Sequence, residues 1–282
     1  MGAWLEDSDW MTPVSIWAIV SAIGMPTPLS VPKTEGALMT HLDLDGRPIL
    51  VTGAAGGIGG AIVRHLTAAN AHVIASGRSS DSLTQIAEET GCSTVTFDLT
   101  SEEEIANALS GLELWGVVNC GGFGGEIASP TETDIDVFDK VMAVNARGAL
   151  LVIKHAARRM IEAANGGSIV NVSSQASLVA LRNHVSYGSS KAALDNITRV
   201  SALELGPHGI RVNSVHPTVV MTEMSAFYWG RPEIEGPALA RMPLGRWATE
   251  DEIAAPIAFL LSDGASMITG AHLPIDGGYT CV

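Results

Sequence analysis

Tyr187 and Lys191 stand four residues apart in a stretch with helical spacing, which places a phenol and an ammonium on one face about one turn apart. The chain has 3 tyrosines and only 4 lysines in 282 residues, so about 0.04 such pairs would arise by chance, and the match is informative. Ser174 lies thirteen residues before Tyr187, at the end of a strand read over Ser168–Ser173. A phenol of ordinary pKa, ~10, is a poor proton shuttle near neutrality. An ammonium beside it favours the phenolate and brings it toward the range that general acid/base work needs. A serine hydroxyl at the same place can hold a carbonyl oxygen by a hydrogen bond. The set suits protonation of an alkoxide as hydride reaches a ketone. The plainer reading is a surface lysine beside a half-buried tyrosine.

A second constellation implies where hydride would come from. Val51–Gly60 reads V-T-G-A-A-G-G-I-G-G, with Gly53, Gly57 and Gly59 at the spacing G-x-x-x-G-x-G around Ile58. The first glycine allows a sharp strand-to-helix turn, the second clears a Cβ from a pyrophosphate, and the third permits close helix packing. The helix start then offers free N–H groups and a positive dipole end to phosphates. This predicts a dinucleotide site. The second strand ends Ala75-Ser76-Gly77-Arg78-Ser79, with no carboxylate before Asp81. Arg78 can pair with a ribose 2′-phosphate and Ser79 can donate to it, so NADP is favoured over NAD. Asp98, closing the third strand, is placed to meet the adenine amino group, with Leu99 beside it.

These residues need a scaffold, and the pattern supplies one. Strands read at Pro48–Thr52, His72–Ser76, Ser93–Asp98, Trp115–Asn119, Ser168–Ser173 and Arg211–His216. Helices read between them at Ile58–Asn70, Ser82–Thr90, Ser101–Leu109, Asp134–Asn165 and Tyr187–Leu205, the third opening on a capping box, Ser101 with Glu104. Short apolar strands alternating with helices predict an α/β fold: one doubly wound Rossmann-type domain over 43–282, a parallel sheet with helices on both faces. No repeat of 20–50 residues interrupts it.

Composition narrows the partners. With 16 Lys+Arg against 30 Asp+Glu the net charge is −14, so neither nucleic acid nor an anionic membrane meets a basic face. Cys92, Cys120 and Cys281 are odd in number and form no C-x-x-C, and none of the 8 histidines forms H-E-x-x-H. The expectation is reduced thiols, a cytoplasmic protein and no metal. Residues 1–42 differ from the rest. Their apolar run Val14–Met25, bounded by Pro13 and Pro26, is too short for a transmembrane helix, and the acids before it do not suit a secretory signal. They read as an N-terminal extension: a poorly ordered one, one arising from a start upstream of Met39, or an interface arm carrying Trp4, Trp10 and Trp17.

The glycine loop, Asn119-Cys120-Gly121-Gly122, Asn145, Ser174, Tyr187 and Lys191 together resemble the short-chain dehydrogenase/reductase superfamily, over about 43–282. The resemblance implies that Ser174, Tyr187 and Lys191 are a catalytic triad. Asn145 is its fourth member, holding a water that links Lys191 to solvent, and Asn119 supports the central strand beside the cofactor. Ala202–Thr222, Asn171–Gln175 and Asn183-His184 are similar to the L-xylulose (dicarbonyl) reductases of that superfamily. Pro217, Thr218, Val220 and Thr222 would then line the nicotinamide amide. Two departures stand out: Gly56 replaces a lysine that contacts the 2′-phosphate, and Glu223–Arg246 diverges although Trp229 matches.

Gln175, Asn183 and His184 offer hydrogen-bonding groups, and Leu181 and Trp229 apolar walls, suited to a small ketose or dicarbonyl. His184 reads equally as a helix-cap or subunit-contact residue. The alternatives are a 3-oxoacyl reductase, an NAD-dependent polyol dehydrogenase, or a non-catalytic scaffold, which would typically lack the tyrosine or lysine. The stretches Ile135–Asn165 and Tyr187–Leu205 carry apolar residues on more than one face, and the resemblance implies that they join subunits into a homotetramer.

Overall fold

The computed structural model describes Leu44 and residues 46–282, except 223, 224, 226 and 227. All of these fall in one compact unit, His41–Val282; the expected extension over 1–42 lies outside the described residues. Seven strands form one parallel sheet in the order β3-β2-β1-β4-β5-β6-β7. They are β1 Pro48–Thr52, β2 His72–Gly77, β3 Ser93–Thr96, β4 Gly116–Asn119, β5 Gly167–Val172, β6 Ile210–Pro217 and β7 His272–Ile275. Among the described residues the helices are α1 Gly57–Ala68, α2 Ser80–Thr90, α3 Glu102–Leu109, α4 Ile135–Met142, α5 Ala149–Ala163, α6 Val185–Leu205, α7 Pro232–Leu239 and α8 Glu250–Leu261.

Strand order reverses at β1, which pairs with β2 on one side and β4 on the other. In an open parallel sheet that reversal opens a crevice beyond the carboxyl ends of the strands. Two apolar cores hold the layers. One packs Ile62, Val63 and Leu66 of α1 and Ile253, Ile257 and Leu261 of α8 on Ile49, Val51 and Val118. The other packs Ile105 and Leu109 of α3 and Leu151, Val152 and Met160 of α5 on Leu50, Val117 and Ile169. The expected doubly wound fold is present.

The differences lie at boundaries, at irregular turns and after β6, where α7, α8 and β7 were not among the elements read from the sequence. β3 stops at Thr96, because Asp98 folds into a turn in which its Oδ1 accepts from the Thr100 N–H at 2.7 Å. β5 stops at Val172, so Ser174 lies two residues past it. The long helix read over 134–165 is α4 and α5 joined through a π-turn, Ala143–Gly148, and it ends where Ala164 turns left-handed at φ 54. Only half of the expected capping box forms. Ser101 Oγ accepts from the Glu104 N–H at 3.3 Å, but Glu104 Oε2 accepts from Asp98 N–H instead. A complete box occurs at Thr249 and Glu252, opening α8. β7 escaped sequence reading, since it contains Pro274 and has no fully buried residue.

Gly53 and Gly46 share φ +68, but only Gly53 is crowded: a Cβ there would lie 2.7 Å from Gly121 Cα, whereas nothing lies within 4 Å at Gly46. Gly46→Ala therefore carries backbone strain alone, about 1 kcal/mol, and Gly53→Ala adds a backbone clash, for a loss of about 2–3 kcal/mol. Urea unfolding of the two variants should show that ordering; equal losses would contradict the packing of the loop on Gly121.

Candidate active site

Lys191, in the second turn of α6, is 4% exposed and donates from Nζ to the Val172 carbonyl at 2.8 Å. The same ammonium lies 5.6 Å from the centroid of the Tyr187 ring. Val172 ends β5, so one strand end supplies both the anchor for the lysine and, two residues on, Ser174. Ser174 Oγ accepts from the Ala176 N–H at 3.1 Å, capping the 3-10 turn Gln175–Ser177 and leaving its own proton free to donate. Gly188 brings α6 against that turn: a Cβ there would meet the Ala176 carbonyl at 3.1 Å.

Asn145 sits in the π-turn and is buried. Its Nδ2 donates to the Phe123 carbonyl and to Ser190 Oγ, both at 3.0 Å, while Oδ1 accepts from Phe123 N–H at 2.7 Å. Both amide hydrogens are committed, so the side chain clamps the segment after β4 to α6. A Cβ on Gly122 would lie 3.4 Å from Asn145 Oδ1 and 3.7 Å from Lys191 Nζ, so these three residues converge.

Across the crevice, Thr52 Oγ1 accepts from the N–H groups of Cys120 and Gly121, both at 3.1 Å. A Cβ on Gly59 would collide with the Gly53 carbonyl, so the third glycine lets the loop close on the first. Gly56 caps α1 with no side chain, and no acid lies in that first turn. The space over Gly57 is not bare, however. A Cβ there would collide with Glu250 Oε1 and lie 2.9 Å from the Thr222 methyl. Sequence reading missed Glu250, which follows Gly57 by 193 positions and belongs to no motif.

Arg78 and Ser79 are exposed just past β2. Ser79 Oγ caps α2 by accepting from Ser82 N–H at 3.4 Å. Hydrogen bonds from the Thr100 hydroxyl and N–H hold the Asp98 carboxyl below the usual range, with Arg78 and Lys140 adding to the effect. Leu99 packs against Gly121 and Gly148: its Cδ1 would be 2.7 Å from a Cβ on the former. Ile58 is half-buried at the start of α1. Asn119 Nδ2 donates to Asn171 Oδ1, and Asn171 Nδ2 donates to Thr198 Oγ1, both at 2.9 Å. Burial pushes the Cys120 thiol up to about 11, keeping it protonated and unreactive at neutral pH.

Past β6, which ends at Pro217, the Thr218 N–H donates to the Ile275 carbonyl at 3.0 Å. Val220 is buried and bridges to Ala248, while Thr222 N–H donates to Ser225 Oγ at 2.9 Å. Gly277 and Gly278 turn left-handed against Met242 and Pro243. Thr218 Oγ1, Gln175 Oε1 and Asn119 Oδ1 are buried without a hydrogen-bond partner among the described residues. Buried polar atoms are rarely left so. These three sit at the carboxyl ends of β4, β5 and β6. With the glycine-lined turn they fit a polar, phosphate-bearing ligand such as a dinucleotide.

Of the residues expected to line a substrate cleft, His184 and Trp229 meet, their rings 5.7 Å apart. His184 is at the N-cap of α6 without capping it, and its Nδ1 donates to the Arg182 carbonyl at 2.6 Å. Tyr228 and Trp247 complete the group, with ring centroids 5.8 Å from His184 and 6.0 Å from Trp229 respectively. Both were missed, as nothing in their spacing marks them. Asn183 makes the turn before α6 at φ 63, and its carbonyl accepts from Ala128 N–H at 3.0 Å. Leu181 is half-buried, and Gln175 is buried in the 3-10 turn.

Residues 53–280 match the family described as enoyl-(acyl carrier protein) reductase. L-xylulose reductase of Caenorhabditis elegans is 42% identical over 247 residues, covering 85% of this chain and 98% of that protein. D-erythrulose reductase of Gallus gallus is 41% identical over 243 residues, 84% of this chain and 97% of its own. Among solved structures, a short-chain type dehydrogenase/reductase from Mycobacterium ulcerans superposes with a TM-score of 0.82 at 33% identity, covering 85% of this chain and 91% of that one. A gluconate 5-dehydrogenase from Burkholderia cenocepacia, in complex with NADP and tartrate, gives 0.82 at 26% identity, covering 86% and 98%. The chain thus belongs to the short-chain dehydrogenase/reductase superfamily and is an NAD(P)-dependent oxidoreductase acting between carbonyl and CH–OH groups.

Proposed function

We propose that residues 43–282 form the catalytic domain of an NADPH-dependent carbonyl reductase for small ketoses or dicarbonyls, with Tyr187 as the acid/base. The observation that carries this reading is the buried Lys191 ammonium under the Tyr187 ring, held by Val172. The relatives named for L-xylulose and D-erythrulose reduction support the substrate class. NADPH, when bound, supplies the hydride. Gly53, Gly57, Ile58, Gly59 and Asn119 would hold its core, Arg78 and Ser79 its 2′-phosphate, Asp98 and Leu99 its adenine, and Pro217, Thr218, Val220 and Thr222 its amide end.

In this reading the Ser174 hydroxyl donates to the substrate carbonyl oxygen, and Tyr187 delivers its phenolic proton to that oxygen as it becomes an alkoxide. Lys191 stabilises the phenolate left behind. Asn145 keeps Gly122 and Ser190 in place around the ammonium, and a relaying water would rest on the main chain of its π-turn. Gln175, Leu181, Asn183, His184 and Trp229 would shape the substrate end. A panel of L-xylulose, diacetyl and an acetoacetyl thioester tests the substrate class: the first two should turn over faster. Preference for the thioester would favour a 3-oxoacyl reductase.

The exposed apolar residues Leu150, Val200 and Leu203 on α5 and α6 support a homotetramer built on those helices. Among the described residues no helix is long and apolar enough to cross a membrane.

Tyr187→Phe should cut kcat by at least 10³-fold while NADPH affinity, read by fluorescence titration, changes less than threefold. Arg78→Ala should raise the KM for NADPH 10- to 100-fold and leave that for NADH nearly unchanged; parallel losses with both would show that Arg78 does not read the 2′-phosphate. Removing the acid over the phosphate turn with Glu250→Gln should tighten NADPH binding several-fold, and weaker binding would show that the carboxylate helps to organise the turn.

A further inference from the structure

Asp195 of α6, His216 of β6 and His272 of β7 meet below the site, 21 and 56 positions apart in sequence. His216 Nε2 is 3.2 Å from His272 Nδ1 and 3.6 Å from Asp195 Oδ1, and His272 Nδ1 is 3.8 Å from Asp195 Oδ1. A tetrahedral ion with bonds of about 2.1 Å needs ligand atoms about 3.4 Å apart, and these three separations bracket that value. Asp195 is 3% exposed, and its Oδ1 has no hydrogen-bond partner among the described residues. A desolvated carboxylate oxygen facing two imidazole nitrogens is a deficit that a cation would fill.

The surrounding hydrogen bonds set the tautomers. His216 Nδ1 lies 3.0 Å from Ser177 Oγ, whose own proton goes to the Ser174 carbonyl, and 3.2 Å from that carbonyl, so Nδ1 carries the proton and Nε2 presents its lone pair to the cluster. A ligating histidine ordinarily has such a carbonyl partner behind it. Ser214 Oγ lies 2.9 Å from each of the two nitrogens and is placed to serve as a fourth ligand or to hold a water. Outside, the exposed Arg199 donates from Nη1 to His272 Nε2 at 3.1 Å. A metal on Nδ1 requires a proton on Nε2, so Arg199 must turn into solvent on binding. His272 is half-buried, which gives an ion a way in.

We propose that Asp195, His216 and His272 form a binding site for a divalent transition-metal ion of the Zn²⁺ class, distinct from the catalytic crevice. Two imidazoles and one carboxylate suit Zn²⁺ and Co²⁺, and are a poor match for Mg²⁺ or Ca²⁺, which want oxygen alone. The ion would tie β6 and β7 to α6 and, through His216, steady the Ser174 carbonyl.

The full chain, stripped with EDTA and dialysed, is titrated with ZnCl₂ by calorimetry and with CoCl₂ by visible absorption. One saturable equivalent of Zn²⁺ is expected, with a Co²⁺ spectrum of four-coordinate intensity and no response to MgCl₂. His272→Gln and Asp195→Asn should each weaken Zn²⁺ binding at least 30-fold and abolish the Co²⁺ band. His208→Gln, at an exposed histidine elsewhere, should leave both unchanged, and Arg199→Gln should bind at least as tightly as the parent. Should Asp195→Asn fail to fold, His272→Gln decides alone, since that residue is on the edge strand. No saturable equivalent, or equal affinity in His272→Gln, would overturn the site and leave a cluster joined only by hydrogen bonds.

Discussion

An ammonium withdrawn from water has to find partners within the protein, and much of this candidate site is arranged around one that has. Lys191 donates to the last carbonyl of β5, and that bond sets α6 against the strand end. Tyr187 precedes it by one turn, and Ser174 follows the accepting residue by two. Asn145 reaches the same helix through Ser190. Losing the carbonyl partner would leave an uncompensated charge in the interior, a cost of several kcal/mol, so the positions of the phenol, the hydroxyl and the ammonium are not independently adjustable.

The helix that carries this lysine is built the wrong way round for an ordinary surface helix. Its buried residues include Ser186, Ser190, Lys191, Asp195 and Thr198, whereas Val200 and Leu203 are exposed. The polar face is turned to the sheet because it is occupied: Ser190 by Asn145, Lys191 by Val172, Thr198 by Asn171. Among the described residues Asp195, one turn beyond Lys191, has no such hydrogen-bond partner at Oδ1. One buried polar stripe thus serves the crevice at its first half and the histidine cluster at its second.

Sequence reading recovered what depends on local pattern. β1, β2, β4, β5 and β6 are short strands buried on both faces along most of their length, and each was found to within a residue or so. The tyrosine, lysine and glycines could be read because their chemistry demands fixed short spacings. What escaped depends on long-range geometry or on competing local bonds. Glu250 reaches the phosphate turn from the far end of the chain. Tyr228 and Trp247 join His184 and Trp229 only after the segment folds back. The capping partnership of Glu104 was lost to Asp98 N–H, a competitor no i, i+3 rule reveals. Asp195, His216 and His272 come from three different elements, so no spacing could have linked them.

The π-turn at Ala143–Gly148 accommodates one residue more than α-helical winding would, and the surplus shifts the angular phase by about 100° for everything that follows. Removing a single residue there would let α4 run into α5 as one even helix with both flanks facing as they do, but it would swing Asn145 off the loop it grips. The surplus residue thus serves the Asn145 amide rather than the fifteen-residue helix that follows, whose packing does not depend on it.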